Sequence, residues 1–150
     1  MNEKILIIDD ERNILETLEY MLTKKGFRVR SASEGAEAVD IFKSEPFDLV
    51  ITDIRMPVMD GFEVMRRLRQ LDRNVKIIVL TGCGTPDTAI RALKKYGAYD
   101  FLTKPLEDIN QLFISIEKAL KDHWLYKKKK YIPNVSIISK KIRQEVLITA

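Results

Sequence analysis

Five side chains in this sequence are placed where chemistry is possible. Asp9 and Asp10 follow the apolar run KILII, Asp53 follows LVIT, Thr81 ends VKIIVLT, and Lys104 lies just beyond AYDFL. An acid placed directly after a buried apolar run loses hydration unless something compensates it. Three carboxylates held a few ångströms apart repel one another, and raised pKa values or a bound cation must resolve that. A hard divalent ion such as magnesium takes oxygen ligands and suits one or two carboxylates plus a phosphate oxygen. Thr81 adds a hydroxyl donor and Lys104 a point positive charge.

Taken singly, each residue has an ordinary role. Asp9 and Asp10 could open a helix whose dipole favours acids, Thr81 could be a strand-end β-branched residue, and Lys104 could be solvated. Their joint placement after successive apolar runs is what ordinary roles do not explain.

The elements that would position them alternate. Strands read at 4–9, 27–32, 48–52, 75–81 and 98–102 are separated by helical spacing at 11–24, 34–44, 61–70 and from Pro86 to Gly97, with a last helix over 106–122. Inward positions are Ile14, Leu15, Leu18, Met21 and Leu22; then Ala36, Val39 and Phe42; then Val64, Met65 and Leu68; and finally Ile109, Leu112, Phe113, Ile116 and Leu120. The helix after Pro86 carries Ala89, Ile90 and Leu93. Ser33 is placed to cap the second helix, with Glu37 near a capping-box position. Gly26 and Gly97 read as helix stops.

Such alternation predicts an α/β fold, a doubly wound five-stranded parallel sheet with helices on both faces. The first, third and fourth strands are almost wholly apolar, as interior strands should be. FRVRSA alternates and belongs at an edge, consistent with the flavodoxin-like order 2-1-3-4-5. In such a sheet the carboxyl ends of all strands share one edge, where ligands bind at the switch point. The five side chains therefore converge.

Composition narrows the field. The 150 residues suit one domain, residues 1–122, with a tail at 123–150. The tail holds seven Lys/Arg and one Glu out of 26 basic and 22 acidic residues, leaving 19 basic and 21 acidic in 1–122. The basic balance thus belongs to the tail and argues little for nucleic-acid binding by the folded part. No apolar stretch approaches the roughly 20 residues of a membrane span. MNEKILIIDDE does not read as a signal peptide. A lone cysteine fits a reducing compartment, and the cytoplasm is the expected location.

Together IIDDE, VITDIRMPVMDG, VLTG and FLTKP, in that order and spacing, resemble the receiver domain of bacterial two-component response regulators over residues 4–122. TGCGTPDTAIRALKKYGAYDFLTKP is further similar to receivers of sigma-54 activators of the nitrogen-regulation type. The resemblance implies that Asp53 accepts a phosphoryl group from a sensor histidine kinase. It implies Mg2+ on Asp10 and Asp53 directly, on Asp9 through water and on the backbone carbonyl of Arg55. Lys104, Thr81 and the Gly82 amide would meet the phosphoryl oxygens. It also implies a cis Lys104–Pro105 bond, a Thr81–Phe101 switch, and a homodimer through either the fourth helix–fifth strand–fifth helix face or an extended fifth helix. Nucleic acid would be met only through an output domain outside this sequence; control of transcription in the family manner is the expectation, and a stand-alone switch acting on a protein partner is the alternative.

Two rivals are weaker. A haloacid-dehalogenase-like phosphatase needs an acid two residues after its nucleophile, where this chain has Arg55, so a signalling domain rather than a turnover enzyme is expected. A flavodoxin-like nucleotide binder should offer Gly, Ser or Thr amides in its first loop, where DDE stands. His123 lacks companion ligands, and Cys83 lacks a partner base. Phe101 stands where many receivers place Tyr, so it cannot hydrogen-bond outward. Pro133 should end any helix through the Lys127–Lys130 run, and IISKKIRQEVL loosely resembles the opening of an ATPase output module, although no Walker-type GxxxxGK[ST] occurs.

Overall fold

The apolar strand runs and the helical stripes find one another as the alternation requires. The computed structural model describes residues 2–131. Its elements are β1 (Lys4–Ile8), α1 (Arg12–Lys24), β2 (Arg28–Ala32), α2 (Gly35–Ser44), β3 (Leu49–Thr52), α3 (Gly61–Leu71), β4 (Lys76–Thr81), α4 (Pro86–Ile90), a π-helical turn (Arg91–Lys95), β5 (Asp100–Thr103) and α5 (Asn110–Tyr131). The sheet order is β2-β1-β3-β4-β5 and every pairing is parallel. This is the doubly wound architecture expected, with β2 on an edge and alternately exposed.

Successive strand residues point to opposite faces, which divides the core in two. Leu6, Ile8, Val50, Ile77 and Val79 pack with Val64, Met65 and Leu68 of α3. Ile5, Ile7, Leu49, Ile51, Ile78 and Leu80 pack with Leu15, Leu18 and Leu22 of α1 and Leu112 and Ile116 of α5. Each fully buried aliphatic side chain is worth about 1.5–3 kcal/mol, so this double layer holds the strand ends in fixed register. Ile8 pairs with Thr52, Thr52 with Val79, and Thr81 with Thr103.

Several local expectations are corrected. Glu34, not Ser33, is the residue before α2, and it makes no side-chain cap. Ala36 faces solvent; the buried stripe is Gly35, Ala38 and Val39, with Phe42 half-buried. Gly35 sets that register, because a Cβ there would stand 2.9 Å from Met59 and Val64. The helix after Pro86 is short and buries none of its residues; Ile90 and Leu93 are exposed, and the buried position is Ala92. It widens into the π turn, where the Tyr96 amide donates to the Arg91 carbonyl, before Gly97 stops it at φ +70°. The last helix begins at Asn110 rather than 106 and passes the expected boundary at 122 to reach Tyr131. His123 explains the overrun: it is buried in α5 and lies 3.0 Å from Asp48. Pro133 and IISKKIRQEVL lie outside the described residues.

Candidate functional site

The carboxyl edge of the sheet gathers the acids. The Asp53 amide donates to the Ile8 carbonyl (2.9 Å) and the Asp9 amide to the Ala32 carbonyl (3.1 Å), so each acid continues its strand by one residue. Asp9 is 3% and Asp53 6% exposed, whereas Asp10 faces solvent. One carboxylate oxygen from each of Asp9, Asp10 and Asp53 can be chosen so that all three lie within 4.8 Å. That is the spacing of oxygens around one hard cation. The donor set therefore fits a magnesium ion.

Lys104 lies across the acids. Its Nζ donates to Asp9 Oδ2 at 2.5 Å and to Asp53 Oδ2 at 3.0 Å. Its own amide donates to the Thr81 carbonyl at 2.9 Å, which ties it to the end of β4. The Lys104–Pro105 peptide is cis, as expected. Burial holds the Asp9 carboxyl above its usual value despite the hydrogen bond from Lys104. Burial would lower the Lys104 ammonium, but the bonds to Asp9 and Asp53 outweigh it and leave it raised. The lysine is thus a fixed cation among crowded acids.

The backbone orients Asp53 further. Its Oδ1 accepts from the amides of Ile54 (2.6 Å) and Arg55 (3.3 Å), while the Arg55 side chain is exposed. Thr81 is fully buried, its Oγ1 accepting from the Cys83 amide at 3.2 Å. Gly82 is exposed beside Lys104 on the wall of a cavity of about 470 Å³ that runs to Leu106 and α1. Phe101 is half-buried against the α2–α3 side of the core, and its ring stands 3.5 Å from where a Cβ of Gly84 would lie. Asp9, Asp10, Asp53 and Lys104 are thus brought together directly. Thr81 and Gly82 lie at the β4 end next to them, while Phe101 sits two residues short of the β5 end, paired with Val79.

Three contributors escaped the sequence reading. Thr52 is fully buried and donates its hydroxyl to the Asp53 carbonyl at 2.9 Å. Gly61 comes so close to the end of β3 that a Cβ would stand 2.1 Å from the Asp53 carbonyl oxygen; the Gly of MDG was the available signal. Asp60, beside it, caps α3 by accepting from the Glu63 amide at 2.9 Å. Val58, in the same loop, takes φ +66°, a left-handed conformation that a β-branched residue rarely adopts. His123 and Cys83 join no acid cluster among the described residues.

Comparison with known proteins agrees with this geometry. The chain is 38% identical to sporulation initiation phosphotransferase F of Bacillus subtilis (strain 168) over 120 residues, 80% of this chain and 95% of that protein. It is 40% identical to response regulator protein PilR of Pseudomonas aeruginosa over 79% of this chain but only 26% of that one. The crystal structure of response regulator protein TrrA from Thermotoga maritima, in complex with Mg(2+)-BeF, superposes with a TM-score of 0.71 at 32% identity, covering 78% of this chain and 98% of that one. The family described as response regulator receiver domain matches residues 5–117, and this chain belongs to it.

Proposed function

We propose that Asp53 is the phosphoryl acceptor of this receiver. The observation that carries the reading is the set of three carboxylates within 4.8 Å, two of them joined to the Lys104 ammonium. In the proposed step an Asp53 carboxylate oxygen attacks the phosphorus of a phosphohistidine on a sensor histidine kinase. The P–O bond forms, the P–N bond breaks, and the departing imidazole keeps the electron pair and takes up a proton. Little covalent assistance is needed, because such transfer relies on positioning and charge neutralisation.

Asp10, Asp53 and the Arg55 carbonyl would hold a Mg2+ ion directly and Asp9 through water, and the bound ion would supply part of that neutralisation. Lys104, the Thr81 hydroxyl and the Gly82 amide receive the phosphoryl oxygens. The complex of Thermotoga maritima TrrA with Mg(2+)-BeF supports the choice of metal and of anion. With Arg55 where a phosphatase of the haloacid-dehalogenase type needs an acid, the acyl phosphate persists as a signal rather than turning over. Cytoplasmic exposure to the kinase follows from this role.

The output reading continues from Thr81. The added phosphoryl group brings about −1.5 to −2 charge, Thr81 turns toward it, and Phe101 packs into the space released. The face of α4, β5 and α5, which shows Ile90 and Leu93, then changes its self-association and controls an output domain of the transcription-regulator kind. Intact-mass measurement after acetyl phosphate treatment tests the acceptor: one added phosphoryl on wild type with Mg2+, none on Asp53→Ala and none in chelator. Equal labelling of wild type and Asp53→Ala ends the assignment. For the switch, beryllofluoride should alter amide exchange across 86–120; identical exchange and identical mass by light scattering would rule it out.

A further inference from the structure

Strand β3 has an acid at each end, and the second one has its own set of partners. Asp48 precedes β3 as Asp53 follows it. Asp48 Oδ2 accepts from the Lys4 amide at 2.8 Å. Its Oδ1 lies 3.0 Å from His123 Nε2 and 3.4 Å from Lys127 Nζ. His123 and Lys127 are four residues apart, on one face of α5. Two more bonds flank them: Asn74 Nδ2 donates to the Tyr126 hydroxyl, and the Tyr99 hydroxyl donates to Asp122 Oδ2, each at 2.8 Å.

The segments leading into β3, β4 and β5 thus each give one polar group to residues 122–127 of α5. In a parallel sheet these segments lie at the edge opposite the acid cluster. Apolar burial does little here. Beyond Leu120 the buried residue among those described is His123, while Trp124, Leu125 and Tyr126 are exposed. A helical end with a run of lysines is poorly stable alone, because short isolated helices are marginal in water.

We propose that these contacts form a releasable polar clasp. Closed, as in this structure, it makes the last turns of α5 part of the receiver body. Open, it frees those turns as an arm hinged near Leu120. The helical half of the clasp, residues 122–127, lies beyond the family match, which ends at residue 117, and the clasp stands independently of the phosphoryl-acceptor reading.

Amide hydrogen exchange on the full 150-residue chain tests it. Asp48→Ala should speed exchange at 122–129 by tenfold or more while leaving 112–119 as protected as in wild type. His123→Ala, which leaves the β1–β3 end untouched, should do the same and serves if Asp48→Ala fails to fold. Wild-type protection at 122–129 in the variants, or a loss spread evenly along α5, overturns the proposal.

Discussion

Removing the Lys104 charge should tighten magnesium binding. The ammonium lies 2.5 Å from Asp9 and 3.0 Å from Asp53, so in the metal-free protein it neutralises the same carboxylates that a cation would use. A divalent ion bound about 2 Å from Asp10 and Asp53 oxygens would come within roughly 4–5 Å of Nζ. Two unit charges 4 Å apart interact by about 1 kcal/mol in water and about 4 kcal/mol at an effective dielectric of 20. A doubly charged ion doubles both figures. The exposed Asp10 side favours the lower value, and retreat of the flexible lysine relieves more of it. A net gain of about 1–2 kcal/mol remains for Lys104→Met, roughly 5- to 30-fold in Kd.

Titration calorimetry with magnesium chloride at pH 7 and low salt reads this directly, with circular dichroism confirming the fold. An unchanged or weaker affinity would show that Lys104 does not compete with the metal. Labelling of Asp53 should survive in the variant, whereas the amide-exchange response across 86–120 should be lost, because no cation then meets the phosphoryl group.

Four further outcomes are expected. Asp10→Ala should abolish magnesium heat in calorimetry, and wild-type affinity would contradict its role as a ligand. Asp9→Asn should raise the melting temperature of the metal-free protein at pH 7: a carboxyl held above its usual value destabilises the fold where it is ionised, and that penalty fades as pH falls through the raised pKa. A gain that grows on acidification would refute this sign. Burial pushes the half-buried Asp48 carboxyl up, but hydrogen bonds from His123 and the Lys4 amide, with Lys127 close by, outweigh it and lower it to about 2 from 3.8. It therefore contributes about 2 kcal/mol at pH 7 that is lost as pH falls through about 2, and urea unfolding of Asp48→Asn should show that cost at pH 7 and little of it near pH 2. Gly61→Ala should cost about 3 kcal/mol or more, since its Cβ would meet the Asp53 carbonyl oxygen, a backbone atom that cannot turn aside; a neutral effect in urea unfolding would sink that account.

The sheet and its acids were legible because they depend on signals that survive in one dimension. Apolar runs such as KILII and VKIIVLT, alternating with helical stripes, suit strands covered on both faces, and parallel connectivity then brings their carboxyl ends to one edge without further information. Asp9, Asp10, Asp53 and Lys104 follow from that alone. What was not legible depends on packing partners. Helical spacing permits both an Ala36–Val39 stripe and a Gly35–Ala38–Val39 stripe on α2; the close approach of Met59 and Val64 to Gly35 decides between them. The π turn at Arg91–Lys95 has no pattern of its own, only the Tyr96–Arg91 bond that the folded chain makes.

His123 shows the same limit most sharply. As a sequence feature it is one imidazole beside a run of lysines, with nothing to distinguish a solvated tail from a structured end. Its partner, Asp48, is 75 residues away and reads as a strand-opening acid. Only the parallel sheet brings the start of β3 beneath the end of α5. The two acids flanking β3 therefore differ in kind. Asp53 is recognisable because its neighbours in sequence make it costly, while Asp48 becomes meaningful only through neighbours in space, and the extent of α5 past residue 122 depends on the second kind.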